Sequence, residues 1–163
     1  MEWKEVLEDP SLRDLPYKIE TNEWGNIMMT PASHWHAVYQ TRIAILLDNF
    51  GIGRGISSVE CPVQTSKGVK VADVAWMSVA FLKKHGLDNP ALPESPEIVV
   101  EVLSPSNRAG EMEGKRKLYF EAGAKEFWLC NEFGNMRLFD PLGELEKSGM
   151  FPEFPEQIKI GMP

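Results

Sequence analysis

Apolar positions recur along this chain at two periods, of three to four residues and of two, and the changes of period fall at glycine and proline. After Ser33, a residue type suited to an N-cap, the residues Trp35, Val38, Tyr39, Ile43, Leu46, Leu47 and Phe50 share one face of a helix that Gly51 ends. Upstream, YKIETNEWGNIMMT from Tyr17 to Thr30 makes two short extended runs around a turn at Asn22 to Asn26, where Gly25 supplies a positive φ. This predicts a hairpin. Residues 1–15 mix acids and apolar residues around Pro10 and read as a short helix or an extended arm. Beyond Gly55, strands are expected at about Ile56 to Gln64 and Val69 to Trp76, joined near Ser66 to Gly68. A short helical or looped piece at Val79 to His85 leads into a proline-containing loop through Pro96. The run SPEIVVEVLSPS, rich in β-branched residues and closed at both ends by Ser-Pro, reads as a strand buried on both faces from Glu97 to Leu103. A helix from about Ala109 to Ala122 stops at Gly123, EFWLC forms a strand from Glu126 to Cys130, NMRLFD a further hairpin strand, and a Pro-rich tail begins near Met150.

Strands on both sides of a helical crossover imply an α/β architecture, a central mixed sheet flanked by helices with a hairpin before it. The 163 residues suit one domain spanning 1–163, with 1–15 as an N-terminal arm and 150–163 as the tail. Hydrophobic and charged fractions of 43% and 25% are those of a globular protein. The formal charge of −7 argues against a non-specific coat protein for nucleic acid, while leaving room for a local basic patch. No apolar run approaches the ~20 residues of a membrane span, and MEWKEVLEDP lacks the order of a signal peptide, so no membrane and a cytoplasmic location are expected. Cys61 and Cys130 stand in unrelated contexts and read as inert, partly buried thiols.

Three charged residues interrupt apolar patterns. Strand alternation puts Val99, Glu101 and Leu103 on one face and Ile98, Val100 and Val102 on the other, so Glu101 is a carboxylate inside an apolar strand. Such a group requires a partner, either a buried ion pair or a metal. Asp73, in KVADVAW, shares a face with Val71 and Ala75; that face is either solvated or carries a second acid of the same site. Two acids in two apolar strands suit a hard cation such as Mg²⁺. In the helix that follows, Glu113, Lys117 and Glu121 form a solvent-facing ladder, whereas Lys115 lies on the stripe of Leu118, Tyr119 and Ala122. Lys115 either snorkels to the rim or points its ammonium at a carboxylate. Together, Asp73, Glu101 and Lys115 have the makings of a phosphodiester-hydrolysis site.

At these residues the chain resembles a known family. VADV, EIVVEVLSPSNR and KRKLYFEAGAKEFWL look like the Uma-two restriction endonuclease family of the PD-(D/E)xK nuclease superfamily, over about Tyr17 to Asp140. The most specific parts are VEVLSPS and the spacing of Lys115, Tyr119 and Gly123. The resemblance implies a restriction-endonuclease-like fold and Mg²⁺-dependent (or Mn²⁺-dependent) DNA cleavage. It also implies metal-ligating acids at Asp73 and Glu101, with the Val102 carbonyl as a further ligand. The superfamily's usual lysine position is Leu103 here, and the lysine is expected instead from the next helix as Lys115; Ala72 replaces the proline of the first motif. Upstream, Glu20 matches an acid that completes the site in the family and His36 a recurrent histidine; taken alone, they read as an exposed hairpin residue and a core or capping histidine.

Asn107 and Arg108 follow the central strand, where they either meet a phosphate or, for Asn107, cap the next helix. Arg108, Lys115, Arg116 and Lys117 form a basic cluster that is either a solvated face or a phosphate contact. Trp24, Trp35, Trp76 and Trp128 read as core or interface. The reading is an endonuclease acting on DNA as a homodimer, with the apolar tail available to an interface. The alternatives are a nuclease-fold binding or assembly module with weak or no chemistry, and a structural ion pair of the carboxylates with Lys115 and no metal.

Overall fold

The computed structural model describes residues 1–161; Met162 and Pro163, the end of the expected tail, lie outside the described residues. The N-terminal segment is helix α1 (Trp3–Glu8) followed by a single 3-10 turn. It is docked, not a free arm: Val6 is buried, the Trp3 indole N–H donates to the Pro90 carbonyl (2.9 Å), and the terminal amine donates to Gly25 O (3.2 Å).

Strands β1 (Tyr17–Thr21) and β2 (Ile27–Pro31) pair antiparallel as the expected hairpin, a two-stranded sheet of its own. Helix α2 (His34–Phe50) starts under the Ser33 cap, whose hydroxyl accepts the His36 N–H, and buries Tyr39, Ile43 and Leu47. The main sheet then runs β3 (Gly55–Thr65), β4 (Gly68–Ser78), β5 (Ile98–Val102), β6 (Glu126–Cys130), β7 (Met136–Asp140) and β8 (Gly143–Leu145), in that spatial order. Helix α3 (Val79–His85) follows β4, and α4 (Glu111–Glu121) carries the chain from β5 to β6. Only β5 and β6 are parallel, which is what a helical crossover requires; the other neighbours are antiparallel.

β5 lies between β4 and β6 and is buried along its whole length. Ile98, Val100 and Val102 pack on the α2 side with Trp76 and Trp128, while Val99 and Leu103 pack on the α4 side with Tyr119 and Phe127, the parity expected of the strand. The tail departs from expectation. Phe151, Phe154 and Ile158 are buried in the α2-side core of their own chain, where Phe151 meets Trp76 edge-on (5.0 Å) and Phe154 meets Trp128 (4.6 Å). Buried Glu126 pins this segment by accepting from the Ser148 hydroxyl and the Gly149 and Met150 N–H groups. The tail's aromatic area therefore completes the domain core instead of being offered to a second copy. Trp76 and Trp128 are core as expected, Trp35 packs partly buried against it, and Trp24 is exposed in the hairpin turn.

Candidate active site

Asp73 and Glu101 come together because of sheet register. Val74 pairs with Val100 across β4 and β5, so one step further the strands place Asp73 beside Glu101 on the α4 side. There the backbone ladder gives way to a side chain, and the Val102 N–H donates to Asp73 Oδ2 (2.7 Å). Both acids are 1% exposed. β5 covers only residues 74–76 of β4, and the hairpin takes the next stretch of that edge with side chains. The Val69 N–H donates to Thr21 Oγ1 (2.8 Å), and the Val71 N–H donates to Glu20 Oε1 (2.9 Å). This docking turns Glu20 and Lys18, two residues apart on one face of β1, inward. Glu20 is thus a buried member of the site and not an exposed hairpin residue.

Two lysines lie among the three carboxylates. Lys115, from the core-facing stripe of α4, does not snorkel: its Nζ donates to Glu20 Oε1 (2.9 Å) and Glu101 Oε1 (3.3 Å). The Tyr119 hydroxyl donates to the same Glu101 oxygen (3.0 Å). Lys18 Nζ bridges Asp73 Oδ1 (2.7 Å) and Glu101 Oε2 (3.2 Å), with Glu20 at 4.0 Å. His36 Nε2 approaches Asp73 Oδ2 at 3.2 Å, so it belongs to the acid cluster and is buried there. Asp73 and Glu101 therefore each have one oxygen anchored by the fold and one turned to the Lys18 ammonium. Among the described residues no three His, Cys, Asp or Glu side chains are already gathered as a metal cage. The donor set nonetheless suits a hard cation, since two carboxylate oxygens from adjacent strands already share a cationic partner and Mg²⁺ is commonly held by one or two carboxylates plus water and phosphate.

Burial and charge divide the acids. Three carboxylates face two ammoniums and the His36 imidazole, and Glu101 is the most enclosed of the acids. Burial accordingly pushes Glu101 up to about 7, against the pull of Lys115 and Lys18. Burial would also raise Asp73, but Lys18 and His36 outweigh it and hold that carboxyl well below the usual range. Glu20 is lowered in the same way, its burial overcome by Lys115, Lys18 and the Val71 N–H. Desolvation opposes the charged forms of Lys18, Lys115 and His36, yet the neighbouring carboxylates raise all three.

The stability consequence has a definite sign. Glu101 and His36 have folded values above their unfolded ones of 4.5 and 6.5, so their contributions are full below those values and are lost as pH rises through the folded values. Asp73 and Glu20 act oppositely, losing their contributions as pH falls through the ordinary carboxylate range. Tm is therefore expected to peak near pH 5–6 and to fall by several degrees towards pH 8, and Glu101→Gln is expected to flatten that fall. A wild-type Tm that rises from pH 6 to 8 in calorimetric scans would contradict the assignment.

Of the other expected site residues, Asn107 is taken up locally: its Oδ1 accepts the Ser104 N–H (2.6 Å) and its amide donates to Glu111 (3.1 Å). Arg108 lines a groove of about 550 Å³ between β2 and the start of α4, bordered by Met28, Met29, Gly110, Gly114 and Lys115. The basic cluster does not form one face. Lys115 is inside, Arg116 lies over Phe139 (4.3 Å), and Lys117 pairs with Glu113 on the surface (3.3 Å), because successive helical residues point about 100° apart. Glu121 leaves the expected ladder and accepts from the Ser66 hydroxyl. Leu103 packs against the α4-side core, so Lys115 brings to Glu101 the ammonium that the neighbouring strand position lacks. Cys61 and Cys130 are buried free thiols, pushed by burial up to about 11 and about 12.

The sequence reading missed Lys18, although its alternation with Glu20 was the available signal. It also missed Glu60, which carries φ +51, stands opposite Asp73 between the paired residues Val59 and Cys61, and accepts a hydrogen bond from buried Gln40 (2.9 Å).

A mixed sheet with a parallel β5–α4–β6 crossover, bearing acids on two adjacent strands and a lysine on the crossover helix, is the architecture of a restriction-endonuclease-like fold. The chain belongs to the Uma2 family, described as "putative restriction endonuclease", which matches residues 12–149. A solved structure described as "a putative nuclease belonging to DUF820" from Anabaena variabilis shares the fold at 16% identity. It covers 94% of this chain and 92% of its own, with a TM-score of 0.74. No curated protein matches the chain. No described helix is long and apolar enough to cross a membrane.

Proposed function

We propose that this protein is a divalent-metal-dependent endonuclease that hydrolyses DNA phosphodiester bonds. The observation that carries this reading is the convergence of Asp73 and Glu101 on one cation position, each with one anchored and one free-facing oxygen. Asp73 and Glu101 would hold Mg²⁺ or Mn²⁺, with Glu20 and the Val102 carbonyl as the remaining candidates. When bound, the ion supplies positive charge against the phosphodiester and lowers the pKa of a bound water. Lys115, fixed by Glu20 and Glu101, offsets charge developing on the phosphate or orients the attacking water. Tyr119 and Lys115 occupy Glu101 Oε1 and so leave Oε2 for the cation. His36 holds Asp73 from behind. Arg108, beside the groove, is the substrate-contact candidate, whereas the Asn107 side chain is held by Ser104 and Glu111. A homodimer would let two such sites meet two strands, which sedimentation tests.

The deciding experiment incubates supercoiled plasmid and single-stranded DNA with Mg²⁺ or Mn²⁺, comparing wild type with Glu101→Gln, while calorimetry follows metal binding. Wild type is expected to bind metal and cut, and the variant to lose at least about a hundredfold in rate. Metal binding without cleavage of either DNA removes DNA as the substrate. Neither binding nor cleavage favours a nuclease-fold binding module.

A further inference from the structure

We propose that Lys18 occupies the cation position of this site in the metal-free chain and sets its affinity for a divalent ion, which enters only as the Lys18 ammonium withdraws. This rests on the reading of Asp73 and Glu101 as the metal-binding acids. Among the described residues, Lys18 is the one cation in contact with both: Lys115 reaches Glu20 and Glu101, and His36 reaches only Asp73. It touches Asp73 Oδ1 and Glu101 Oε2, the two oxygens that the fold leaves without another anchor.

Charge favours exchange over addition. Whatever the protonation of Glu101 and His36, exchange adds less positive charge to the enclosed cluster than addition does. A dication that replaces the Lys18 ammonium raises the enclosed charge by one, whereas one that joins it raises it by two and sets two cations side by side in a poorly solvated site, where like charges repel strongly. The exchange is also mechanically reasonable. Lys18 has a flexible four-carbon stem on a hairpin outside the main sheet, its side chain is 12% exposed, and a small recess lined by Thr30, Ser104 and Asn107 adjoins its ammonium.

The test titrates the full-length chain and Lys18→Met with MnCl₂ alone, without DNA, in a calorimeter, with thermal melts in parallel. Methionine keeps the stem length and removes the charge. The expected result is a Kd for Mn²⁺ at least tenfold lower in the variant, together with a lower metal-free Tm and a larger rise of Tm on adding Mn²⁺. Lys70→Met serves as the electrostatic control, because the Lys70 ammonium borders the same groove but donates to the Thr21 carbonyl (2.6 Å). It is expected to bind Mn²⁺ as wild type does.

A Lys18→Met protein that melts cooperatively but binds Mn²⁺ no tighter than wild type overturns the proposal. So does equal tightening in Lys70→Met, or binding by neither protein. If Lys18→Met fails to fold, Lys18→Gln is read by the same criteria. Tightened binding in the Lys18 variant alongside a wild type that cuts no DNA would keep this inference and sink the reading of DNA as the substrate. Cleavage by wild type with unchanged affinity in the variant would do the reverse.

Discussion

Replacing Asp73 by alanine is expected to lower the unfolding free energy by about 3–5 kcal/mol, the range for removing one partner of a buried ion pair. Asp73 is 1% exposed and serves three donors from three elements: Lys18 on β1 (2.7 Å), the Val102 N–H on β5 (2.7 Å) and His36 on α2 (3.2 Å). Its loss strands the buried Val102 N–H and leaves the Lys18 ammonium only Glu101 within hydrogen-bond distance (3.2 Å), and both changes are costly in a buried site. For a domain of this size the change corresponds to a fall of roughly 6–20 °C in Tm. Asp73→Asn, which keeps an acceptor and the shape, is expected to lose less stability and to be the variant of choice for metal binding. A Tm for Asp73→Ala within about 2 °C of wild type would show that the hairpin, α2 and β5 are not tied together through this carboxylate.

Lys115→Met is expected to reduce cleavage by about 10²–10³-fold while leaving divalent metal binding intact or tighter. The lysine has two contacts, Glu20 (2.9 Å) and Glu101 (3.3 Å), and its removal makes the cluster more negative, which favours a cation. Loss of rate with retained metal binding separates a role in the chemical step from one in building the metal site. Lys115→Arg is expected not to restore the rate, because a planar guanidinium cannot reproduce a compact ammonium between two carboxylates in this buried space. Cleavage by Lys115→Met within about threefold of wild type would remove the role assigned to Lys115 and leave Lys18 as the lysine to test for chemistry.

Much of the site was legible because it follows from local periods. Glu101 and Asp73 stand out as acids in β-branched strands, two-residue alternation assigns them faces, and the 3.6-residue stripe of α4 separates Lys115 from the surface pair Glu113 and Lys117. What a carboxylate in an apolar strand meets is another matter. Glu20 alone reads as an exposed hairpin residue, and it is buried only because Val71 and Val69 present backbone N–H groups that β5 does not reach.

The sequence by itself determined the elements, most of their inward faces and the need of Glu101, a carboxylate inside an apolar strand, for a partner, since each follows from neighbours within a few residues. Tertiary structure alone decided that Lys18 and not only Lys115 answers that need, that His36 stands behind Asp73, that the basic run from Lys115 to Lys117 is split among three surroundings, and that Phe151 and Phe154 fill their own core. These outcomes depend on contacts between residues tens of positions apart. The docking of a hairpin on a half-covered strand edge sets them, and no local pattern encodes it.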